Sequence, residues 1–292
     1  MKLFRWWMIC FVTFYVMFPQ EVTYSKNIQE MKVHFIDVGQ GDSIFIQTPN
    51  DKHILIDGGR PESGKRVVAY LKQQQVKTID LMIATHPDID HIGGLPYVMK
   101  HIQTNEILDS GKTHTTKTYG RYVREIHKQN IPVTIAQENK TIKIDPLLQI
   151  RILNTYGTFK NNNQSSIVLH VNYDEVDFLF MSDIEHKQEK DLLSTYDLRA
   201  NVIKIAHHGS KTSSSMKFLQ QVNPNIAILT YSKQNDFGHP VKRVIHNLNR
   251  VHAHIYSTAV FGDLVIWTEG KNYYVFPKKN PINGILEEKR SQ

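Results

Sequence analysis

The stretch ATHPDIDHIGGL, residues 84–95, puts two histidines and two aspartates into the six positions from His86 to His91. An apolar run at 79–84 leads into it as a predicted strand, and a helix is predicted from 93 to 102. Neutral imidazole and carboxylate are ligand types that bind Zn²⁺, Mn²⁺ or Fe²⁺. A tight turn after a strand can direct alternate side chains into one small volume. The stretch therefore predicts a metal site, the alternative being a surface loop that has this composition by chance.

Acidic and histidine residues recur at the ends of other predicted strands. Asp57, His86, Asp183 and His207 each come directly, or one residue, after an apolar run. In layered α/β proteins, ligands bind where strand ends and their loops converge. We therefore expect a single site built from several loops.

Strands alternate with single helices through the whole body of the chain, and no linker divides it. Of the 292 residues, 40% are hydrophobic and 22% are charged, as in an ordinary globular protein. We expect one α/β domain over residues 31–278 and a basic C-terminal tail at 279–292. Further helices are predicted at about 62–76, 121–129, 185–196, 215–222 and 241–249.

Residues 1–30 have the pattern of an export signal. Lys2 and Arg5 precede an uncharged apolar run at residues 6–18. Because about 20 apolar residues are needed to span a bilayer, we expect a secretory signal peptide. An uncleaved membrane anchor is the alternative, and either reading places the body outside the cytoplasm. The single cysteine, Cys10, lies in this segment and excludes an internal disulfide or a cysteine-based metal site.

The formal charge of +7 and the pI near 9.2 favour anionic partners, such as nucleic acid, teichoic polymers or lipid headgroups. The lysines are scattered and no basic stripe is interleaved with aromatic residues, so a solvated basic surface explains the charge equally well. The sequence does not indicate an oligomeric state.

Several motifs carry a family resemblance. The pattern H-x-D-x-D-H at residues 86–91 resembles the signature H-x-[HED]-x-D-H of the metallo-β-lactamase superfamily. The resemblance implies a four-layer αββα sandwich with a metal site at one edge. Five segments look like the metallo-β-lactamase-like domain of ComEC, a DNA-uptake channel protein, and its free-standing relatives: FIDVGQGDSIFI (35–46), ATHPDIDHIGGL (84–95), NNNQSSIVL (161–169), IKIAHHGSKTSSS (203–215) and NDFGHP (235–240).

The resemblance implies a site for two divalent metal ions, zinc or manganese. His86 and Asp88 would bind the first ion, and Asp90 and His91 the second. Asp183 would bridge the two, and one of the pair His207 and His208 would complete the second site.

Two more residues would support these ligands. Asp57 would orient a ligand histidine through a hydrogen bond, unless it only caps the Gly-Gly turn that follows it. Asn163 stands near the place where many superfamily members have another histidine. With Asp88, it replaces imidazole by oxygen donors, which moves the metal preference from zinc toward manganese or magnesium.

The chemistry expected of such a site is attack of metal-activated hydroxide on a phosphodiester. Asp90 counts among the catalytic residues as well as the ligands. Lys211, with the backbone amides at a helix start, could bind a phosphate, or it is a solvated lysine. His239 could protonate a leaving group, or it is a turn residue before a proline. Asp37, Gln40 and Asp42 are expected to be mainly structural, and Asp37 could also lie near the site.

The leading functional hypothesis is an exported, metal-dependent phosphodiesterase, a nuclease that acts on DNA. One alternative keeps the metal centre and changes the substrate to cell-wall phosphodiesters, such as phosphocholine on teichoic acid, or to a lactone or β-lactam. A third hypothesis is a catalytically weak binding module. Carboxylates crowded together without metal would repel one another, which argues against that module.

Overall fold

Apolar strand segments of the chain pair into two large β-sheets in the computed structural model, which describes residues 29–157 and 160–280. The signal-peptide or anchor prediction falls almost entirely on residues 1–28, outside these ranges, as do residues 281–292 of the predicted tail. Within the two ranges, no helix is both long and apolar enough to cross a membrane.

The strands are short, as expected for a layered α/β protein. Their bounds are β1 Met31–Phe35, β2 Ile44–Gln47, β3 His53–Ile56, β4 Thr78–Ile79, β5 Leu81–Ala84, β6 Gln103–Thr104, β7 Ile107–Asp109, β8 Val133–Ile135, β9 Thr141–Ile142, β10 Gln149–Asn154, β11 Val168–Tyr173, β12 Val176–Phe180, β13 Val202–Lys204, β14 Ile226–Leu229, β15 His254–Ser257, β16 Leu264–Thr268 and β17 Tyr273–Pro277.

The helices lie between these strands. Their bounds are α1 Gly64–Gln73, α2 Ile89–Ile92, α3 Leu95–His101, α4 Lys117–Gln129, α5 His186–Thr195, α6 Met216–Val222, α7 Lys242–Arg250 and α8 Thr258–Phe261. Short 3₁₀ turns occupy Pro61–Ser63, Asn163–Ser165 and Ala206–Gly209.

The first sheet has eight strands in the order β17-β16-β1-β2-β3-β5-β7-β8, and the second has seven in the order β15-β14-β13-β12-β11-β10-β9. Strands β3, β5, β7 and β8 run parallel, and so do β12, β13, β14 and β15. Parallel neighbours end at the same edge of a sheet, so the loops after them converge. Each sheet therefore brings a set of strand ends to one edge.

Three apolar clusters separate the layers. One lies between the two sheets and contains residues such as Val33 and Phe178. A second joins the first sheet to α1, α3 and α4, and a third joins the second sheet to α5, α6 and α7. Helices therefore cover both outer faces of a double sheet, and the predicted αββα architecture is confirmed.

Several predicted helices differ in extent from those observed; the one predicted at about 62–76 spans Gly64–Gln73. The helix predicted at 121–129 begins at Lys117, where the Thr116 side chain accepts the backbone N–H of Tyr119. The helix predicted from 93 is preceded by the short α2, and α3 starts at Leu95. The break falls at Gly94, whose backbone packs so closely on Gly58 that an added Cβ would lie 2.0 Å from the Gly58 carbonyl oxygen.

Candidate metal centre

The loops after the parallel strands of both sheets supply the polar residues of one buried cluster. Asp57 follows β3, and His86 follows β5. From the other sheet, Asp183 follows β12, and the pair His207 and His208 follows β13. The sequence prediction of one site built from several strand ends agrees with this placement.

The segment from His86 to His91 changes direction at Asp88, which has extended backbone angles and precedes the short helix α2. The Nε2 atom of His86 lies 3.6 Å from Oδ2 of Asp88, and the ring centroids of His86 and His91 are 4.0 Å apart. Both histidines are fully buried, whereas Asp88 and Asp90 are partly exposed. The tight turn thus brings the side chains of His86, Asp88 and His91 into one volume.

Asp183 lies at the middle of this cluster. Its Oδ2 atom is 3.3 Å from Nε2 of His91, 3.5 Å from Nε2 of His208 and 3.8 Å from Nε2 of His207. The Nε2 atom of His208 also lies 3.5 Å from Oδ2 of Asp90. One carboxylate oxygen therefore faces three imidazoles that come from both sheets.

The far side of each buried ring is held by a hydrogen bond. Nδ1 of His91 bonds Oδ2 of Asp57 at 2.7 Å, and Nδ1 of His208 bonds the carbonyl oxygen of Thr230 at 2.7 Å. Nδ1 of His86 lies 3.1 Å from Oγ1 of Thr85. Such bonds fix the ring orientation and the tautomer, which leaves Nε2 available as a ligand.

The cluster fits a divalent metal ion. The Nε2 atoms of His86, His91 and His208 and the Oδ1 atom of Asp183 are buried and have no hydrogen-bond partner within residues 29–157 and 160–280. Buried polar atoms are otherwise nearly always paired. Ligand atoms of His86, His91 and Asp183 lie within 4.8 Å of one another, as do those of Asp90, His91 and His208. These residues can hold metal with an imidazole and carboxylate donor set.

The charges of the cluster favour a cation at its centre. Burial by itself raises the pKa of Asp183, but His208 and His91 outweigh it and hold this pKa well below its usual value. Burial lowers the pKa of His91, yet Asp183 and Asp57 raise it well above the ordinary value. Without metal the carboxylates thus favour the protonated form of His91, and a bound ion would displace that proton.

The two adjacent histidines occupy different places. His208 is buried within the cluster, whereas the His207 side chain is 20% exposed and its Nδ1 lies 3.3 Å from Oγ1 of Thr212. Both have left-handed backbone angles, with φ of 50° and 53°. The geometry favours His208 as the ligand and places His207 at the rim.

His239 lies beside this rim. Its ring centroid is 5.5 Å from that of His207 and 6.4 Å from that of His208, and the Phe237 ring stacks against it. Burial, together with His207, lowers the pKa of His239 to about 4. Its role as a proton donor stays a prediction, and so does phosphate binding by Lys211, whose side chain is exposed.

The asparagine that contacts Asp88 is Asn162. Its Nδ2 atom donates to Oδ1 of Asp88 at 2.6 Å. The predicted Asn163 is the next residue and begins a 3₁₀ turn. Nothing in the run of three asparagines distinguished these neighbours, because the choice depends on how the loop turns.

Sequence reasoning also missed Lys204 and the role of Asp42. Both are buried, and the Lys204 ammonium forms an ion pair with Oδ2 of Asp42. Lys204 also lies 3.8 Å from Oδ1 of Asp183. The lysine within the apolar segment NVIKIA (201–206) was the available signal, because a lysine is almost never buried without a charged partner.

Comparison with known proteins supports the same assignment. The chain is 26% identical over 261 residues to ComE operon protein 3 of Bacillus subtilis, covering 83% of this chain and 33% of that protein. It is 27% identical to Recombination protein 2 of Haemophilus influenzae over 241 residues, covering 80% of this chain and 28% of that protein. The chain thus spans about a third of the length of these relatives.

Solved structures show the same fold at low identity. The metallo-beta-lactamase fold protein YhfI of Bacillus subtilis superposes with a TM-score of 0.54 at 12% identity, covering 85% of this chain and all of that chain (100%). Residues 36–232, more than half of the chain, match the family described as the metallo-beta-lactamase superfamily. The chain therefore belongs to the metallo-β-lactamase superfamily, and this membership supports a metal-dependent hydrolase.

Proposed function

We propose that this protein is a dinuclear metal-dependent phosphodiesterase that cleaves DNA outside the cytoplasm. The observation that carries the proposal is the oxygen-rich first site, in which Asp88 stands beside His86 and accepts a hydrogen bond from Asn162. Oxygen donors favour harder ions, such as Mn²⁺, over a histidine-rich zinc site. A harder centre suits an anionic phosphate ester better than a neutral lactam.

The candidate ligands form two groups that overlap at His91: His86, His91 and Asp183, and Asp90, His91 and His208. His86 and Asp88 would hold the first ion, and Asp90, His91 and His208 the second, with Asp183 shared between them. When bound, two divalent ions polarise a phosphoryl oxygen and generate hydroxide near neutral pH. Asp57 keeps His91 in the orientation that presents Nε2 to the centre.

Space for a substrate lies next to Asp88. A cavity of about 390 Å³ is lined by Asp88, Lys112 and the three asparagines 161–163. The Lys112 ammonium bonds the carbonyl oxygen of Lys160 at 3.0 Å and lies 5.1 Å from the centre of the Tyr156 ring. A fixed positive charge and an aromatic face beside the centre favour a nucleotide phosphodiester.

The leaving group would depart on the side of His207 and His239, whose rings lie at the rim. When hydroxide attacks phosphorus and the bond to the leaving oxygen breaks, that oxygen must gain a proton. His239 is the proposed donor; its pKa of about 4 in the free protein has to rise for this role, and the negative charge of a bound phosphate ester acts in that direction.

DNA as the substrate draws on two kinds of support. The relatives are named for the ComE operon and for recombination, and the chain carries a formal charge of +7.

The proposal that the protein is exported rests on the apolar segment at residues 6–18. Mass spectrometry of the protein recovered outside the cells tests this part: a shortened N-terminus supports a signal peptide, and an intact Met1 supports the anchor.

Full-length protein loaded with Mn²⁺ or Zn²⁺ is expected to hydrolyse bis-p-nitrophenyl phosphate, and Asp183→Ala to abolish this activity. Asp191→Ala, which removes an exposed carboxylate of α5, is the matched control and should retain it. Circular dichroism of each variant confirms that it is folded. Hydrolysis that survives Asp183→Ala would rule out the proposed centre.

The substrate class is decided by parallel assays on single-stranded DNA, double-stranded DNA, teichoic acid and nitrocefin. Cleavage of DNA with little turnover of nitrocefin is the expected result. Preference for teichoic acid or nitrocefin would overturn the DNA assignment and leave the metal centre in place.

A further inference from the structure

Lys204 is a fully buried lysine at the edge of the metal centre. It ends β13, is 1% exposed and donates to the carbonyl oxygen of Ser182 at 3.2 Å. Its ammonium pairs with Oδ2 of Asp42. Burying a charge is costly unless it is paired and hydrogen-bonded, so these contacts hold the ammonium at a defined point.

Asp42 is itself held in place from both sheets. Its Oδ1 atom accepts the Thr230 hydroxyl at 2.5 Å, and its backbone N–H donates to the carbonyl oxygen of Asp90 at 3.1 Å. Thr230 follows β14 of the second sheet, whereas Asp42 precedes β2 of the first. The anchor of Lys204 is therefore part of the contact between the two halves of the fold.

The two oxygens of Asp183 have different surroundings. Oδ2 faces the imidazoles of His91 and His208 at 3.3 and 3.5 Å. Oδ1 is buried, has no hydrogen-bond partner in the described part of the chain and lies 3.8 Å from Lys204 Nζ. The ammonium thus attracts one oxygen, and the histidines face the other.

We propose that Lys204 is a positioning residue that keeps Oδ1 of Asp183 away from the bound ions, so that this carboxylate offers them the single oxygen Oδ2. The inference rests on the dinuclear centre of the proposed function. A carboxylate can bind an ion through one oxygen or through both. Without the ammonium, Asp183 can turn both oxygens onto one ion, and the other ion then loses its shared ligand.

A purely charge-balancing role for Lys204 makes the opposite prediction. If the lysine only neutralised Asp42, replacing both residues by neutral groups of similar size would leave metal binding unchanged. The double replacement removes one positive and one negative charge, so the net charge near the ions stays the same. A loss of affinity for the second ion therefore supports the positioning role, and unchanged affinity supports charge balance alone.

The test compares full-length wild type with the pair Asp42→Asn/Lys204→Met, which leaves no buried unpaired charge. The pair Asp42→Asn/Lys204→Gln keeps a donor at position 204. An exposed ion pair, Lys52 with Asp80 at 3.3 Å, provides the control variant Lys52→Met/Asp80→Asn. Calorimetric titration with Mn²⁺ gives the stoichiometry and the affinities. Low-temperature electron paramagnetic resonance reports whether two Mn²⁺ ions share a bridging ligand. Thermal unfolding verifies that each variant is folded.

We expect wild type and control to bind two Mn²⁺ ions with an exchange-coupled spectrum. The methionine pair should bind the second ion about tenfold more weakly, with loss of the coupled spectrum, whereas the glutamine pair should retain it. Unchanged or tighter binding of the second ion by the methionine pair overturns the proposal. If that pair does not fold, Asp42→Asn/Lys204→Leu, which also lacks a donor at position 204, replaces it under the same criteria. Loss of the coupled spectrum by the glutamine pair overturns the role of a donor at this position. Wild type that binds fewer than two ions refutes the dinuclear centre itself.

Discussion

At the scale of single residues, the candidate ligands are oriented through atoms that face away from the centre. The Asp57 carboxylate holds His91, and it also accepts the backbone N–H of Thr85 at 2.9 Å and the Thr85 hydroxyl at 2.6 Å. The Thr85 hydroxyl in turn accepts from Ser182 of the other sheet at 2.8 Å. A ring held in this way loses little freedom when it binds an ion, which raises metal affinity.

Asp88 is expected to set the metal preference. Asp88→His should shift selectivity toward Zn²⁺ and away from Mn²⁺ by about tenfold or more, because imidazole is a softer donor than carboxylate. Competition titration of the metal-free protein, followed by metal analysis, measures the ratio. The control is Asp191→His on the exposed face of α5, and an Asp88→His ratio equal to that of wild type would contradict this account.

At the scale of elements, the centre depends on close contact between the turn after β3 and the start of α3. The backbone N–H of Gly58 donates to the carbonyl oxygen of His91 at 2.7 Å, and that of Gly94 donates to the carbonyl oxygen of Gly59 at 2.9 Å. Glycine is required where backbones approach so closely, because a Cβ on Gly94 would overlap the carbonyl of Gly58. The Gly-Gly step of the opening motif is thus a packing requirement.

Two glycine substitutions should have opposite effects on stability. Gly94→Ala is expected to lower the free energy of unfolding by roughly 2 kcal/mol or more, because the new methyl overlaps backbone. Gly120→Ala, within α4 and with no atom within 4 Å of the added Cβ, should raise it by about 0.5–1 kcal/mol.

Urea denaturation of the metal-free proteins measures both changes. Equal effects at the two positions would mean that the contact between Gly94 and Gly58 does not constrain the fold.

At the scale of the whole molecule, the centre joins the two halves of the double sheet. His86 and His91 come from the first sheet, and Asp183 and His208 come from the second. An ion bound by both groups exists only in the folded state, so its binding free energy adds to stability.

Metal loading should therefore raise the melting temperature. At a free metal concentration about 100 times Kd, the gain in the free energy of unfolding is about 2.7 kcal/mol. Differential scanning calorimetry with and without a chelator measures it. Asp183→Ala should show little of this shift, and a wild-type melting temperature that is insensitive to metal would contradict binding between the sheets.

Much of the fold and of the candidate site could be predicted from local sequence. The strand-end positions of Asp57, His86 and Asp183 were visible because apolar runs end at each of them. The predicted helix ends differ from the observed ones by a few residues, as at Lys117, where a helix capped by Thr116 begins earlier than predicted. The choice between His207 and His208 was not visible, because two consecutive left-handed residues send neighbouring side chains in directions that no periodicity describes.

The sequence by itself determined the layered α/β architecture and the residue types of the centre, because periodicity and strand-end chemistry are properties of short segments. Only the tertiary structure decided that Asn162 contacts Asp88 and that Lys204 lies between Asp42 and Asp183. Those contacts join residues 74, 162 and 21 positions apart along the chain. They depend on how two sheets pack against each other, and the buried charge of Lys204 is stable only where that packing brings carboxylates to meet it.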